Sequence, residues 1–122
     1  MKSRNNLLLG RLGEKEAEKY LTSQNYRIIE RNFRIRNGEI DLIAKDKNIL
    51  VFVEVKTRRN NKFGLPEEAI TSSKIKTLIR SAQYYLLTHN QPSASYRIDV
   101  VSIKLDENDR PEQIKLYKNI TS

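Results

Sequence analysis

Two short stretches hold the residue types from which a catalytic centre can be built: Gly38-Glu39-Ile40-Asp41, and Glu54-Val55-Lys56 further along. If they lie on neighbouring antiparallel strands joined by a two-residue turn, Asp41 faces Glu54 and Glu39 faces Lys56, all on one side of the sheet. Carboxylates set opposite each other repel and disfavour a sheet, so the pair needs a compensating cation. Hard oxygen ligands suit Mg²⁺ or Mn²⁺, and two carboxylates with a backbone carbonyl and waters suffice to hold either. Asp41 and Glu54 are therefore the candidate metal ligands. Lys56 falls on the same face, where its ammonium can orient or deprotonate an attacking water, or offset charge developing on a phosphate. A plainer account competes with this one. Arg34, Arg36 and Lys56 can pair with Glu39, Asp41 and Glu54 on a solvated sheet face. Against it stands the apolar run Ile49-Leu50-Val51-Phe52-Val53, which suggests a strand buried on both sides. A charged pair near the middle of such a strand is costly unless it is used.

These positions depend on the elements around them. Apolar residues at helical spacing predict a helix over Leu7–Ser23, although Gly10 and Gly13 weaken its first turns and point to close packing or a later start. Three strands follow, Tyr26–Arg36, Glu39–Lys45 and Ile49–Thr57, with turns expected at Asn37-Gly38 and Lys47-Asn48. In that register Ile35 faces Ile40, Phe33 faces Leu42, and Ile43 faces Phe52. Strict alternation then gathers Phe33, Ile35, Ile40, Leu42, Val51, Val53 and Val55 on an apolar face. Arg34, Arg36, Glu39, Asp41, Glu54 and Lys56 fall on the other. A second helix over Ser73–His89, capped by Ser72 or Ser73, carries an apolar stripe from Ile75 to Leu86. A turn over Pro66–Ile70 precedes it. Tyr96–Leu105 reads as a buried strand reached by a helical crossover, hence parallel to the third strand, and Gln113–Ile120 as a weaker last strand. The fold class is α/β: a mixed central sheet with flanking helices in the order αβββαββ, forming one domain over residues 1–122.

Bulk composition narrows the functions. The formal charge is +8, which favours a polyanionic partner, because each neutralised phosphate releases counterions. Arg34 and Arg36 on the sheet, Arg58, Arg59 and Lys62 in the loop leaving it, and Lys74 on the second helix are the candidate nucleic-acid contacts; a solvated loop and an ordinary polar helix face are the competing readings. Phe63 either stacks on a base or covers the core. Without cysteine a thiol nucleophile is excluded, and with a single histidine, His89, a zinc centre lacks support. Neither a Gly-x-Ser-x-Gly turn nor a glycine-rich phosphate loop occurs, so acyl transfer and nucleoside-triphosphate binding lack support. No apolar run is long enough to span a membrane and none has the order of a secretory signal. A cytoplasmic location is expected.

Glu14, Asp41 and Glu54-Val55-Lys56 resemble the helix-Glu, Asp and Glu-x-Lys pattern of the PD-(D/E)xK nuclease superfamily, especially archaeal Holliday-junction resolvases. More narrowly, Gly38-Glu39-Ile40-Asp41-Leu42-Ile43-Ala44, Phe52-Val53-Glu54-Val55-Lys56-Thr57-Arg58 and Arg97-Ile98-Asp99-Val100-Val101 look like the bacterial YraN-like family. Ile40 stands where the superfamily's name has proline. The resemblance implies a restriction-endonuclease-like core, Asp41 and Glu54 as metal ligands, Lys56 as the catalytic lysine and Glu14 as an accessory carboxylate. It also implies a metal-dependent endonuclease acting on DNA before RNA, and a homodimer. A member that binds nucleic acid without cutting it, or a protein-interaction domain of the same fold, is the alternative. Read from the helix alone, Glu14 is a first-turn acid favoured by the helix dipole. Asp99 has open roles: support of the site, a helix cap, or a charge pair near Arg97.

Overall fold

The computed structural model describes residues 4–59 and 70–121, with side chains from residue 7 onward. Lys62, Phe63 and all of the expected Pro66–Ile70 turn except Ile70 lie outside the described residues. Seven elements follow in chain order: α1 (Arg4–Ser23), β1 (Tyr26–Ile35), β2 (Gly38–Asp46), β3 (Ile49–Arg58), α2 (Ser72–Thr88), β4 (Tyr96–Leu105) and β5 (Pro111–Tyr117). The strands form one sheet in the order β1-β2-β3-β4-β5. Only β3 and β4 run parallel, as a strand–helix–strand crossover through α2 requires. This mixed sheet with two helices is compatible with a restriction-endonuclease-like core. Among the described residues no helix is long and apolar enough to cross a membrane.

β3 is apolar on both faces because a helix covers each. Val51 and Val53 bury against Ala17 and Leu21 of α1, together with Leu42, Ala44, Val101 and Ile103. Leu50 and Phe52 bury against Leu78, Ala82, Tyr85 and Leu86 of α2, together with Ile40, Ile43 and Ile98. The expected division into one apolar and one charged face is therefore corrected. Leu42, Val51, Val53 and Val55 do stand together under α1, but Phe33 and Ile40 pack on the α2 side. Ile40 and Leu42 are two residues apart yet join opposite cores, so the period-two alternation breaks at Asp41.

The turns explain the register. Lys47, at φ 57°, and Asn48 form the predicted second turn, with Asp46 opposite Ile49 and Ile43 opposite Phe52. The first turn is Arg36-Asn37 rather than Asn37-Gly38, with Asn37 at φ 64° and Ile35 opposite Gly38. Phe33 accordingly faces Ile40 instead of Leu42. A side chain at Gly38 would place its Cβ 2.5 Å from Ser81 Oγ of α2, so glycine serves helix–sheet approach there rather than the turn. The N-cap of α2 is Thr71, not Ser72 or Ser73; its hydroxyl accepts from the Lys74 N–H at 3.1 Å.

Asp99 is a structural lock. Its carboxylate, fully buried, accepts from Tyr26 Oη at 2.9 Å, Arg97 Nε at 3.0 Å and the Asn119 N–H at 2.9 Å. Arg97 Nη2 also donates to Asp46 at 2.7 Å, so one ion network ties the start of β1, the end of β2 and the chain beyond β5 to β4. Burial and the neighbouring Asp99 charge push the Tyr26 phenol well above its usual range. Replacing Asp99 with alanine leaves the Arg97 guanidinium short of its buried partner. The expected loss is about 3–5 kcal/mol of folding stability, read as a lowered urea midpoint at unchanged slope. A loss under about 1 kcal/mol would show that the network is energetically idle.

Candidate active site

The β2–β3 ladder ends at Leu42 opposite Val53. Beyond it the Val55 N–H donates to Asp41 Oδ2 at 2.8 Å, so a carboxylate takes the place of a backbone carbonyl as the strands part. Asp41 and Glu54 thus meet as side chains although they are not paired in the ladder, and neither are Glu39 and Lys56. The parting opens a cleft of about 460 Å³ bordered by Glu14 from α1, Glu39 and Asp41 from β2, Glu54 and Lys56 from β3, and Lys74 from α2. All four residues of the catalytic set proposed from the sequence line it.

α1 reaches the cleft because Gly13 lets it. An added Cβ at Gly13 would lie 1.7 Å from Oγ1 and 2.7 Å from Cβ of buried Thr57. Thr57 is a residue that sequence reasoning passed over; the signal was the glycine in α1, which did imply a close approach. Gly13→Ala is expected to lower stability by about 1–3 kcal/mol through overpacking, measurable as a drop in thermal midpoint. An unchanged midpoint would mean that α1 shifts freely on β3. With α1 beginning at Arg4, Glu14 stands in mid-helix, and the first-turn dipole account of it is corrected.

Electrostatics set this cleft apart from an ordinary polar sheet face. Burial, contact with the Glu54 carboxyl and the nearby Glu14 charge together push Asp41 up to about 9, despite the opposing Val55 N–H. Glu54 is almost fully buried, and Lys74 Nζ stands 3.1 Å and Lys56 Nζ 4.0 Å from its Oε2. Those lysines neutralise the oxygen without an aligned hydrogen bond, leaving Oε2 one of two orphaned buried side-chain polar atoms among the described residues. The other is Arg58 Nε. Arg58 borders the cleft and its Nη1 donates to the Thr57 carbonyl at 3.1 Å.

An Asp held protonated against a buried carboxylate with an unsatisfied oxygen fits a divalent cation, which would replace the proton and satisfy the orphan. Among the described residues no group of three His, Cys, Asp or Glu side chains forms a ready cage. A cation here would rest on Asp41, Glu54, backbone oxygen and water, a sparse carboxylate set of the kind Mg²⁺ accepts.

The basic candidates divide. Arg58 and Lys74 border the cleft. Arg59 pairs with Asp109 in the β4–β5 turn, Nη2 to Oδ1 at 2.7 Å, and so anchors the point where the chain leaves β3. Arg34 and Arg36 are exposed on the β1–β2 hairpin. Arg34 pairs with Glu39 at 3.5 Å, directly across the β1–β2 ladder, so Glu39, set opposite Lys56 in the expected register, takes its partner from β1 instead. The plain ion-pair account thus holds for Arg34 with Glu39 and for Lys56 with Glu54, although Glu54 is buried rather than solvated, and it fails for half-buried Asp41, which contacts another carboxyl. Asp99 and its partners lie outside the cleft lining.

The family model described as "Uncharacterised protein family UPF0102" matches residues 13–103, a span that runs from Gly13 through every described cleft residue named above. The chain belongs to this family. The expected YraN-like resemblance therefore holds. A UPF0102 protein of Caldicellulosiruptor saccharolyticus is 45% identical over 111 residues, covering 91% of this chain and 94% of its own length. One from Caldanaerobacter subterraneus is 42% identical over 118 residues, covering 97% and 93%. Another from Symbiobacterium thermophilum is 49% identical over 96 residues, covering 79% and 81%. The matched spans cover most of each chain.

Proposed function

We propose that this UPF0102 chain is a metal-dependent endonuclease that hydrolyses DNA phosphodiester bonds, with Asp41 and Glu54 holding Mg²⁺ or Mn²⁺. The observation that carries the reading is the convergence of those two carboxyls, Glu54 buried and Asp41 half-buried, in contact where β2 and β3 part. Bound there, the ion supplies Lewis-acid polarisation of the scissile phosphate and of the attacking water.

The chain's own residues have separable tasks. Asp41 is oriented by the Val55 N–H, which fixes one of its oxygens and leaves the other for the cation. Lys56 stands within the cleft with its ammonium near Glu54, placed to orient the water or to offset charge on the phosphate. Water adds to phosphorus, the bond from phosphorus to the departing sugar oxygen breaks, and the proton lost by the water is balanced by one gained at that oxygen. Lys74 and Arg58 at the cleft rim, with Arg34 and Arg36 on the hairpin, supply cations for the flanking phosphates. A cytoplasmic place of action and a homodimer belong to the same proposal, the second on the nuclease resemblance alone.

Purified protein incubated with branched, single-stranded and duplex DNA in Mg²⁺ or Mn²⁺ tests the reading. Metal-dependent cleavage that Asp41→Ala and Glu54→Ala abolish is the expected result. Salt-sensitive binding with no cleavage in any metal would replace it with a non-catalytic nucleic-acid module. Failure to bind DNA or RNA at low salt would favour a protein-interaction domain.

A further inference from the structure

The exposed flank of α2 leads away from the cleft. Lys74 in its first turn holds Glu54. Beyond it Lys76, Arg80 and Tyr84 recur every fourth residue, all exposed, and so share one side of the helix. At 1.5 Å per residue Tyr84 stands ~15 Å along the axis from Lys74. Arg80 is fixed there, its Nη2 donating to the Asn37 carbonyl in the β1–β2 turn at 2.8 Å.

The far end of this track is aromatic. Tyr84 is 49% exposed and its ring lies beside Phe33, with centroids 6.4 Å apart. His89 flanks Phe33 at 6.3 Å, and buried Tyr85 supports it from below at 5.1 Å. Tyr84 takes little part in the core, yet it adjoins half-buried Phe33, which His89 flanks, in a contiguous aromatic patch that marks an interaction site rather than scattered surface. Exposed charges around it are mainly basic: Arg34, Arg36 and Arg80, with Glu39 already paired to Arg34 and Glu30 on the Tyr85 side. A second copy docked patch to patch would set Arg34, Arg36 and Arg80 against their counterparts, like charge against like, so a homodimer would use another face. A polyanion with flat apolar faces suits both halves of the track.

We infer that the Phe33–Tyr84–His89 patch is a stacking platform for unpaired nucleotides of a DNA strand whose phosphates follow Arg80 and Lys76 toward the cleft. The inference rests on the proposed action on DNA and refines its substrate class: DNA with a single-stranded segment beside the bond to be cut. Aromatic faces accept any base, and neighbouring cations track the backbone, so the platform selects for unpaired structure rather than sequence.

The chain has no tryptophan, so Tyr84→Trp installs a single indole reporter on the patch. It is titrated in EDTA at low salt with a duplex carrying an oligo(dT) tail and with a blunt duplex of equal length. The tail is expected to quench the emission and the blunt duplex to leave it unchanged. Tyr84→Ala is expected to weaken binding of the tailed DNA about tenfold, while Tyr84→Phe and all blunt-duplex affinities hold. Equal quenching by both DNAs, no quenching by either, or unchanged tailed affinity in Tyr84→Ala overturns the platform. An emission shift that grows with protein concentration without DNA would give the patch to a second copy and also overturn it. Because binding is read without metal, absence of cleavage leaves this result standing. Loss of the platform in turn leaves blunt-duplex binding and cleavage untouched.

Discussion

Lys56→Ala is expected to slow single-turnover DNA cleavage by about a hundredfold or more while Mn²⁺ binding persists. Asp41→Ala and Glu54→Ala should lose both. The division follows from position. Asp41 and Glu54 present the oxygens that would hold the cation, whereas Lys56 is a donor set 4.0 Å from Glu54 Oε2 and cannot ligate metal. Lys74 lies closer to the same oxygen, at 3.1 Å, and supplies the internal comparison. If Lys56 acts on the water or the phosphate, Lys74→Ala mainly weakens substrate binding, raising KM with kcat little changed. Lys56→Arg keeps the charge but exchanges a compact ammonium for a broad, fixed fork, so it should restore little of the rate. Equal kcat in wild type and Lys56→Ala, under conditions where Asp41→Ala is inactive, would remove Lys56 from the chemistry.

Much of the site was legible in the sequence because one turn controls it. Lys47-Asn48 is a two-residue loop, and counting outward from it sets Asp41 and Glu54 at the same level whatever happens elsewhere in the sheet. Parity also survived the misplaced first turn, since moving it by one residue shifts the partner of Phe33 by two, from Leu42 to Ile40, and leaves facing residues on a common side. The break at Asp41 was not legible. Period-two alternation assumes an unbroken ladder, and only the folded structure shows a carboxylate substituting for a carbonyl opposite Val55. For the same reason strict alternation makes the α2-facing side of the meander read as charged: Ile40 changes sides at that break and joins Ile43 and Phe52 under α2. The Asp99 network was invisible for a different cause. Its members Tyr26, Asp46, Arg97 and Asn119 are scattered along the chain and are brought together only by sheet order. Glu14 came from the resemblance, and its place in the cleft depends on the Gly13–Thr57 contact, which no local propensity encodes.

In metal-free protein, stability is expected to fall by about 1–3 kcal/mol as pH rises from 5 to 9, and Mn²⁺ should reverse the fall. The sign follows from Asp41, raised from 3.8 to about 9 chiefly by burial and then by contact with Glu54. Between those values the folded state keeps a proton that the unfolded state has released. Its stabilising contribution is therefore complete below the unfolded value and fades as pH climbs through the folded one. The full shift would exceed the range given, but Asp41 is only partly shielded from solvent and Lys56 and Lys74 soften the repulsion at Glu54. A divalent cation competes with that proton for the same oxygens, so the Mn²⁺-induced rise in thermal midpoint should be larger at pH 8 than at pH 6. Asp41→Asn separates the causes. Without a titrating carboxyl the metal-free variant should be flatter with pH and more stable than wild type at pH 8, yet gain nothing from Mn²⁺. A wild-type midpoint indifferent to both pH and Mn²⁺ would mean that the two carboxyls are held apart in solution, and the shared-cation site would fall with them.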